Sequence, residues 1–214
     1  MRLTLILIAI NIAVFILQVS VFYAIGARPI DHYLALTPSE AFQGSYWQFI
    51  TYMFVHSAIA DNGSLILGHI FINMLVLLIF GPLVEQRIGY VWFLAVYLSA
   101  GVFSALFHLM FTGISQSQLV GASGAVFAIM TVYGLLYPRS WIWMIPGIPM
   151  PAIFAVFVLA GMQLFFGFFG GEPGVAYFGH IGGIIVGAVF AVYWKYAKRK
   201  DETREFKESL HGQF

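Results

Sequence analysis

The chain contains no cysteine and few charged residues, and both absences narrow what it can be. Without cysteine it can form no disulfide and can offer no thiolate as nucleophile or metal ligand. Charged residues make up 9% of its 214 residues, whereas an ordinary soluble domain carries about 25%. Because 61% of the residues are hydrophobic, we expect the solvent of this chain to be a lipid bilayer.

The charged residues that the chain does contain do not favour nucleic acid as a partner. The formal net charge is +1, and no basic patch lies outside the polar C-terminal segment.

The first hydrophobic run extends from Leu3 to about Tyr23, which is longer than the ~7–15 residues of a signal-peptide core. No small-x-small cleavage site precedes Gly26-Ala27. We therefore interpret this run as a first membrane span rather than a cleaved signal.

Hydrophobic windows predict an all-α, polytopic membrane protein with six transmembrane helices, since a spanning helix takes about 20 apolar residues. The windows cover approximately residues 3–23, 65–84, 90–111, 119–137, 151–169 and 175–196. Predicted breaks lie at Gly81-Pro82, at Pro138 and at the run PGIPMP, residues 146–151. The sequence thus divides into a six-helix membrane domain at 1–197 and a polar tail at 198–214, expected to be a solvated or frayed extension of the last helix.

The basic residues predict the orientation in the membrane. With six spans both termini share one side, and nine of the ten Lys and Arg residues fall on that side. The positive-inside rule places it in the cytosol. The tenth, Arg28, lies in the first outer loop, residues 24–64, whose second half is rich in aromatic side chains. We expect this long loop to lie in the membrane interface rather than in water.

Polar side chains interrupt three of the spans near their outer ends. His69 and Asn73 lie in the second span, Ser123 in the fourth and His180 in the sixth. These spans run in the same direction, so the four groups should lie at similar depth. His69 and Asn73 are four residues apart and share a helix face. Because polar groups are costly in hydrocarbon, they are candidates for a functional site.

Glycine predicts which spans touch. The sixth span carries Gly183 and Gly187 at four-residue spacing, and the fourth carries Gly121 and Gly124. Such small-xxx-small faces let helix backbones approach closely in membranes. Contact between these faces would bring the serine and the histidine within the ~2.6–3.2 Å that a nucleophile and its base require.

A Ser–His pair without a third member is expected. Histidine can take a serine proton near neutral pH, but the acidic residues that could orient the ring lie in loops or in the tail: Asp31, Asp61, Glu172 and Asp201. We expect packing to hold the ring instead, with Phe127, one turn after Ser123, stacked on it. An oxyanion could receive hydrogen bonds from His69, Asn73 and the backbone N–H of Ser123 at a helix start.

Together these segments resemble the rhomboid intramembrane serine proteases. The resemblance rests on five segments, in this order along the chain: FVH ending at 56, HIFIN at 69–73, GPLVEQRIG at 81–89, GASG at 121–124 and GHIGGIIVG at 179–187. It departs from the best-known bacterial pattern in three ways. Gln48 follows Trp47 where arginine is common, the segment between His56 and His69 is longer, and Phe127 replaces a tyrosine.

The resemblance implies a rhomboid-type bundle with a membrane-associated first loop and an aqueous cavity open to the outside. It implies Ser123 as nucleophile, His180 as general base, and His69 and Asn73 as oxyanion stabilisers. Glu85 would be structural, near the cytoplasmic end. The fifth span and the last outer loop would act as gate and cap. The expected partners are transmembrane protein substrates and the lipid bilayer, the expected location is a prokaryotic cell membrane, and no cofactor or metal is implied.

Other interpretations remain open from the residues alone. A serine in a membrane helix often bonds a carbonyl one turn back, and a histidine there can serve packing only. A catalytically inactive relative that binds membrane clients would share this fold. A transporter or channel would more often show intramembrane charges or paired broken helices. A zinc protease is disfavoured, because there is no H-E-x-x-H motif.

Overall fold

A computed structural model of the chain describes residues 2–60, 62–145, 148–172 and 174–211. Its elements, in chain order, are α1 (Arg2–Ile25), α2 (Pro29–Leu34), α3 (Pro38–Ala41), α4 (Gln48–Thr51), a 3₁₀ turn (Tyr52–Phe54), α5 (Gly68–Ile88), α6 (Tyr90–Thr112), α7 (Ser123–Leu136), β1 (Trp141–Ile145), β2 (Ile148–Pro151), α8 (Ala152–Phe169) and α9 (Tyr177–His211).

The long helices confirm the prediction of a polytopic helical membrane protein. Five helices, α1, α5, α6, α8 and the first 22 residues of α9, are long and apolar enough to cross a membrane. The sixth apolar helix, α7, has 14 residues, or about 21 Å at 1.5 Å per residue. This is shorter than the ~30 Å hydrocarbon core. Since α5, α6, α8 and α9 all pack against it, α7 is the centre of the bundle.

The first part of the fourth predicted span is not helical. Residues 119–122 precede α7, and Leu119 pairs with Leu36 of the first loop through two backbone hydrogen bonds of 2.8 and 3.0 Å. The Gly121 N–H donates to the Tyr52 carbonyl, 3.0 Å away. These bonds satisfy the backbone of a non-helical segment, which lipid alone could not do. The short helix can therefore begin at Ser123, and its second residue, Gly124, lies against Ser104, eight residues before the end of α6.

The predicted break at Gly81-Pro82 is wrong, because α5 continues through both residues to Ile88. A proline inside a helix removes one backbone hydrogen bond, but neighbouring helices make this tolerable in a membrane bundle. Gly81 serves packing: a Cβ there would lie 2.6 Å from the Thr4 methyl group of α1. Glu85 thereby falls within α5. Its carboxylate accepts hydrogen bonds from the Leu3 and Thr4 backbone N–H groups and from the Thr4 hydroxyl, at 2.7 to 3.1 Å.

The region between α7 and α8 adds a small β element to the helical fold. Strands β1 and β2 pair antiparallel, with Trp141 opposite Pro151. Residues 148–151 of the predicted break thus form β2, while residues 146 and 147 lie outside the described part of the chain. At the other end, α9 runs without interruption from Tyr177 to His211. The predicted tail is therefore a helical extension as far as residue 211, and residues 212–214 lie outside the described part.

The first outer loop is folded against the bundle. It contains the short helices α2 to α4, and side chains such as Leu36 and Met53 are fully buried. The Gln18 amide of α1 bonds both backbone groups of His56, at 2.9 and 3.2 Å. Gln48, the departure noted in the sequence, is buried and accepts the Thr37 N–H at 3.0 Å. Amide side chains thus hold the loop in place beside the start of α5.

Candidate active site

The structure brings Ser123 and His180 together. Ser123 is the first residue of α7, and His180 is the fourth residue of α9. The Nε2 atom of His180 lies 2.8 Å from the Ser123 Oγ, within the range of a nucleophile and its base. The two residues are 57 positions apart in the sequence, so their contact depends on how α7 and α9 pack.

Glycines make that packing possible, and Gly124, Gly183 and Gly187 lie where the sequence predicted, between α7 and α9. A Cβ at Gly183 would overlap the carbonyl of Gly124, and a Cβ at Gly187 would lie 2.5 Å from the Ala128 carbonyl oxygen. The two helices therefore meet backbone to backbone. We call this contact, formed by Gly124, Ala128, Gly183 and Gly187, the α7–α9 seam.

A third helix, not predicted to take part, reinforces the seam. The Ser104 hydroxyl of α6 donates a hydrogen bond of 2.6 Å to the Gly179 carbonyl in the first turn of α9. A Cβ at Gly124 would overlap this hydroxyl. Ser104 could not be distinguished in the sequence, because a serine in a membrane helix commonly bonds a carbonyl of its own helix.

Gly121 does not lie on the helix face where the sequence placed it. It precedes α7 and has a φ of +115°, a backbone conformation that residues other than glycine rarely adopt. A Cβ built there would lie 2.8 Å from the His69 Nε2 and 3.8 Å from the Ser123 Oγ. Its contribution is a close approach between the His69 ring and the serine, not contact with α9.

His69 and Asn73 lie in the first two turns of α5 and face the same cavity as the serine. The Ser57 N–H donates to the His69 Nδ1 at 3.2 Å. The ring proton of a neutral His69 therefore lies on Nε2, the atom beside Gly121. The Asn73 Nδ2 donates to the His69 carbonyl at 2.8 Å, which leaves its second N–H available.

His56 supports His69 from the first loop. It is 1% exposed, and its ring packs edge-on against the His69 ring with centroids 5.1 Å apart. Burial, assisted by the neighbouring His69, lowers the pKa of His56 from its usual value to about 3, so this ring is neutral at physiological pH. The ring contact places His56 directly behind His69, a candidate oxyanion donor.

Two side chains hold the His180 ring. Phe127 stacks on it, as expected, with centroids 4.4 Å apart and ring planes inclined by 16°. The expectation that packing alone orients the ring is wrong. The Oε1 atom of Gln163, in α8, lies 2.8 Å from the His180 Nδ1. The sequence contained a signal for this residue, because Gln163 is the one polar side chain of α8.

Ser123, His180, His69, Asn73 and Phe127 line a cavity of about 640 Å³ between α5, α7, α8, the start of α9 and the segment at 174–176. Apolar side chains, including Val76, Met130 and Leu159, form most of its wall. Its polar side chains are Ser57, His69, Asn73, Ser123 and His180. The described part of the chain holds no group of three His, Asp or Glu side chains close enough to bind a metal ion. The arrangement offers a hydroxyl, a base and hydrogen-bond donors in one pocket.

Comparison with known proteins agrees with this picture. The sequence profile of the Rhomboid domain matches residues 43–197. The chain is 30% identical to Rhomboid protease AarA from Providencia stuartii, over 89% of this chain and 71% of that protein. It is 29% identical to RHOMBOID-like protein 6, mitochondrial, from Arabidopsis thaliana and 27% identical to Rhomboid-related protein 4 from Homo sapiens, in each case over 72% of this chain.

The chain spans about half the length of the last two relatives, 45% and 48% respectively. The profile nevertheless covers every residue of the cavity, from Ser57 to His180. The protein is thus a multi-pass integral membrane protein, and it belongs to the rhomboid family, which includes intramembrane serine proteases.

Proposed function

We propose that this protein is an intramembrane serine endopeptidase that cleaves transmembrane segments of other membrane proteins. The observation that carries the proposal is the 2.8 Å contact between the Ser123 Oγ and the His180 Nε2 inside a cavity that is largely apolar but contains hydrogen-bond donors. A serine hydroxyl needs an adjacent base to attack a peptide carbonyl, and this geometry supplies one.

The reaction would proceed in two stages. The Ser123 Oγ attacks the scissile carbonyl carbon while the His180 Nε2 takes the hydroxyl proton. His180 then gives that proton to the leaving amine nitrogen, the C–N bond breaks, and an acyl-enzyme remains. In the second stage water replaces serine as the attacking group, with the same histidine as base. The acid is released and the Ser123 hydroxyl is restored.

Three donors support stabilisation of the tetrahedral oxyanion. The His69 Nε2–H faces the serine across Gly121, the Asn73 amide lies on the next turn of α5, and the Ser123 N–H opens α7. Backbone N–H groups of a first helical turn have no partner within the helix, and the helix dipole adds positive potential there. If each donor acts as in soluble serine proteases, removing one costs about 2.7–4 kcal/mol of transition-state stabilisation.

The substrate would enter from the lipid, between α5 and α8. These two helices form opposite walls of the cavity, with Val76 on one and Leu159 on the other, whereas α8 packs chiefly on α7 and α9. A substrate helix must unwind to expose its backbone, which lipid cannot solvate. The polar groups of the cavity can form hydrogen bonds with this exposed backbone. Because unwinding is easier at helix-breaking and small residues, we expect such residues near the cleavage site to favour the reaction. Outward movement of α8 would be the gate, and residues 174–176 would form part of a cap.

We further propose that both termini are cytoplasmic in a prokaryotic cell membrane. The distribution of nine of ten basic residues supports this orientation. The candidate site then lies towards the outer side, from which water would reach it. Insertion tags at residue 113, in the connection between α6 and α7, and at the C-terminus should be accessible from opposite sides; access to both from the same side would contradict the orientation.

Labelling by a fluorophosphonate probe in detergent tests the proposed activity. The Ser123 Oγ should displace fluoride from phosphorus and become covalently labelled, and Ser123→Ala should abolish labelling. Ser99→Ala is a matched control, because Ser99 lies on α6 and its hydroxyl bonds the Val96 carbonyl of its own helix. Wild type and this control should also cleave a reporter protein with one transmembrane segment.

Two results would contradict the proposal. Labelling that persists in Ser123→Ala would place the nucleophile elsewhere. A folded wild type that neither reacts with the probe nor cleaves any of a panel of transmembrane reporters would favour a catalytically inactive member that binds membrane clients.

A further inference from the structure

Gln163 is an unusual residue for its position. The helix that carries it, AIFAVFVLAGMQLFFGFF, is otherwise composed of apolar residues and glycine. The neighbouring Met162 and Leu164 are exposed on the outer surface of the bundle, whereas Gln163 is 8% exposed and faces inwards. A buried primary amide in a membrane helix is costly unless its hydrogen-bonding groups find partners.

The partner of this amide is the imidazole of His180. The Gln163 Oε1 lies 2.8 Å from Nδ1, and a carbonyl oxygen can only accept a hydrogen bond. Nδ1 must therefore carry the ring proton, which leaves the Nε2 lone pair facing the Ser123 hydroxyl. In the other tautomer, Nε2–H would point at the serine and the ring could not act as a base. The Gln163 carbonyl thus selects the reactive form of the ring.

Phe127 cannot make this selection. Its stacked ring contacts the face of the imidazole and limits tilting, but it makes no distinction between the two ring nitrogens. A hydrogen bond in the plane of the imidazole fixes both the tautomer and the rotation about the side chain. The two contacts therefore act on different degrees of freedom of the same side chain, one from α7 and the other from α8.

We propose that Gln163 is a positioning residue that completes a Ser–His–Gln arrangement, holding His180 in the Nδ1–H tautomer with Nε2 towards Ser123. A neutral amide here takes the place in space that a carboxylate occupies in a Ser–His–Asp triad. It orients the base without burying a charge in the membrane domain, where an ionised carboxylate would be much more costly. The proposal rests on the proposed protease function for its catalytic meaning.

Kinetics of three variants test the role. Gln163→Leu removes the acceptor and should lower kcat about 10²-fold with little change in KM, the scale expected when a catalytic group is misplaced by about 1 Å. Gln163→Glu restores an acceptor, so it should recover much of kcat. Its carboxylate favours the imidazolium, and the acid limb of its pH–rate profile should therefore move to higher pH than in wild type. Met162→Leu, on the lipid-facing side of the same helix, is the control and should match wild type.

The ¹⁵N spectrum of the His180 ring in detergent micelles tests the same contact without relying on activity. His180→Ala identifies its signals. Wild type should show a protonated Nδ1 and an unprotonated Nε2, and Gln163→Leu should show a mixture of both tautomers. Thermal unfolding of each variant separates this effect from a loss of folding.

The outcomes distinguish the two proposals. An inactive wild type whose ring still shows the Nδ1–H tautomer, and loses it in Gln163→Leu, would contradict the protease function but support the positioning contact. An active wild type whose kcat, pH–rate profile and ring tautomer are all unchanged in folded Gln163→Leu would overturn the role of Gln163. A fall in activity that Gln163→Glu neither rescues nor shifts in pH would mean that Gln163 serves packing only.

Discussion

The two helices that flank His180 hold it in different ways. At the α7–α9 seam, glycine and alanine bring two backbones into direct contact, and a Cβ at Gly183 has no room. On the other side, α8 turns large aromatic side chains outwards: Phe157 is 68% exposed and Phe165 is 56% exposed. Its hydrogen bond to the histidine is the one that the Gln163 Oε1 accepts from the His180 Nδ1–H.

This difference separates two requirements of a serine–histidine site. The distance between nucleophile and base depends on the positions of two backbones, and the glycines and alanine of the seam hold these backbones in direct contact. The orientation of the ring depends on side chains, which can adjust or withdraw. Outward movement of α8, the proposed gate, would carry Gln163 away from His180, so we expect the ring to regain its reactive orientation only when α8 closes again. The seam would keep the serine and the histidine close throughout.

The largest effect is expected from Gly183→Ala. The added methyl group would overlap the Gly124 carbonyl, a backbone atom that cannot move aside without separating α7 from α9. Overpacking of this kind costs about 1–3 kcal/mol of stability. A shift of about 1 Å between the serine and the histidine would lower activity about 10²-fold. Thermal unfolding in detergent and reporter cleavage measure the two effects; a variant with both properties of wild type would show that the seam is not closely packed.

A smaller effect is expected from Phe127→Leu, which removes the ring stacked on His180. Aromatic contacts of this geometry are worth about 0.5–1.5 kcal/mol, so kcat should fall about 2- to 10-fold. Phe127→Tyr keeps the ring and should retain activity. Equal losses in both variants would mean that the size of the side chain, rather than stacking, is what matters at this position.

The smallest effect is expected from Gly161→Ala, the same substitution as in the seam but placed on α8. Nothing lies within 4 Å of a Cβ at this position, and alanine favours a helix over glycine by up to about 1 kcal/mol. The unfolding temperature should stay the same or rise slightly, with unchanged cleavage. If Gly161→Ala were as harmful as Gly183→Ala, the proposed contrast between the tight seam and the open surroundings of Gly161 on α8 would be wrong.

Several parts of the site could be predicted because they depend on spacing along one helix. Gly183 and Gly187 share a face at any rotation of α9, and His69 and Asn73 share a face of α5. The two polar side chains, His69 and Asn73, can also be recognised because a polar group is costly in hydrocarbon and each lies in an otherwise apolar span. The same argument, that a polar side chain in an apolar span is costly, also applies to Gln163 in α8.

Other features followed from contacts that no local pattern contains. The Pro82 position looked like a helix end, yet α5 continues through it beside α1, where Thr4 fills the space that Gly81 leaves. Gly121 looked like part of a helix face, but its backbone is held in a left-handed conformation beside the first loop and the His69 ring. In both cases a neighbouring segment, distant in sequence, determined the local conformation.

The sequence by itself determined that this chain lies in a membrane, which spans carry polar groups, and which faces are small enough for helices to meet. These properties belong to single segments, because burial in lipid and helical periodicity act on each segment separately. Only the tertiary structure decided that α7 begins as late as Ser123, that Gly121 brings His69 to the serine, and that Gln163 reaches the Nδ1 of His180. Each of these depends on the relative depth and rotation of several helices, which packing sets for the bundle as a whole.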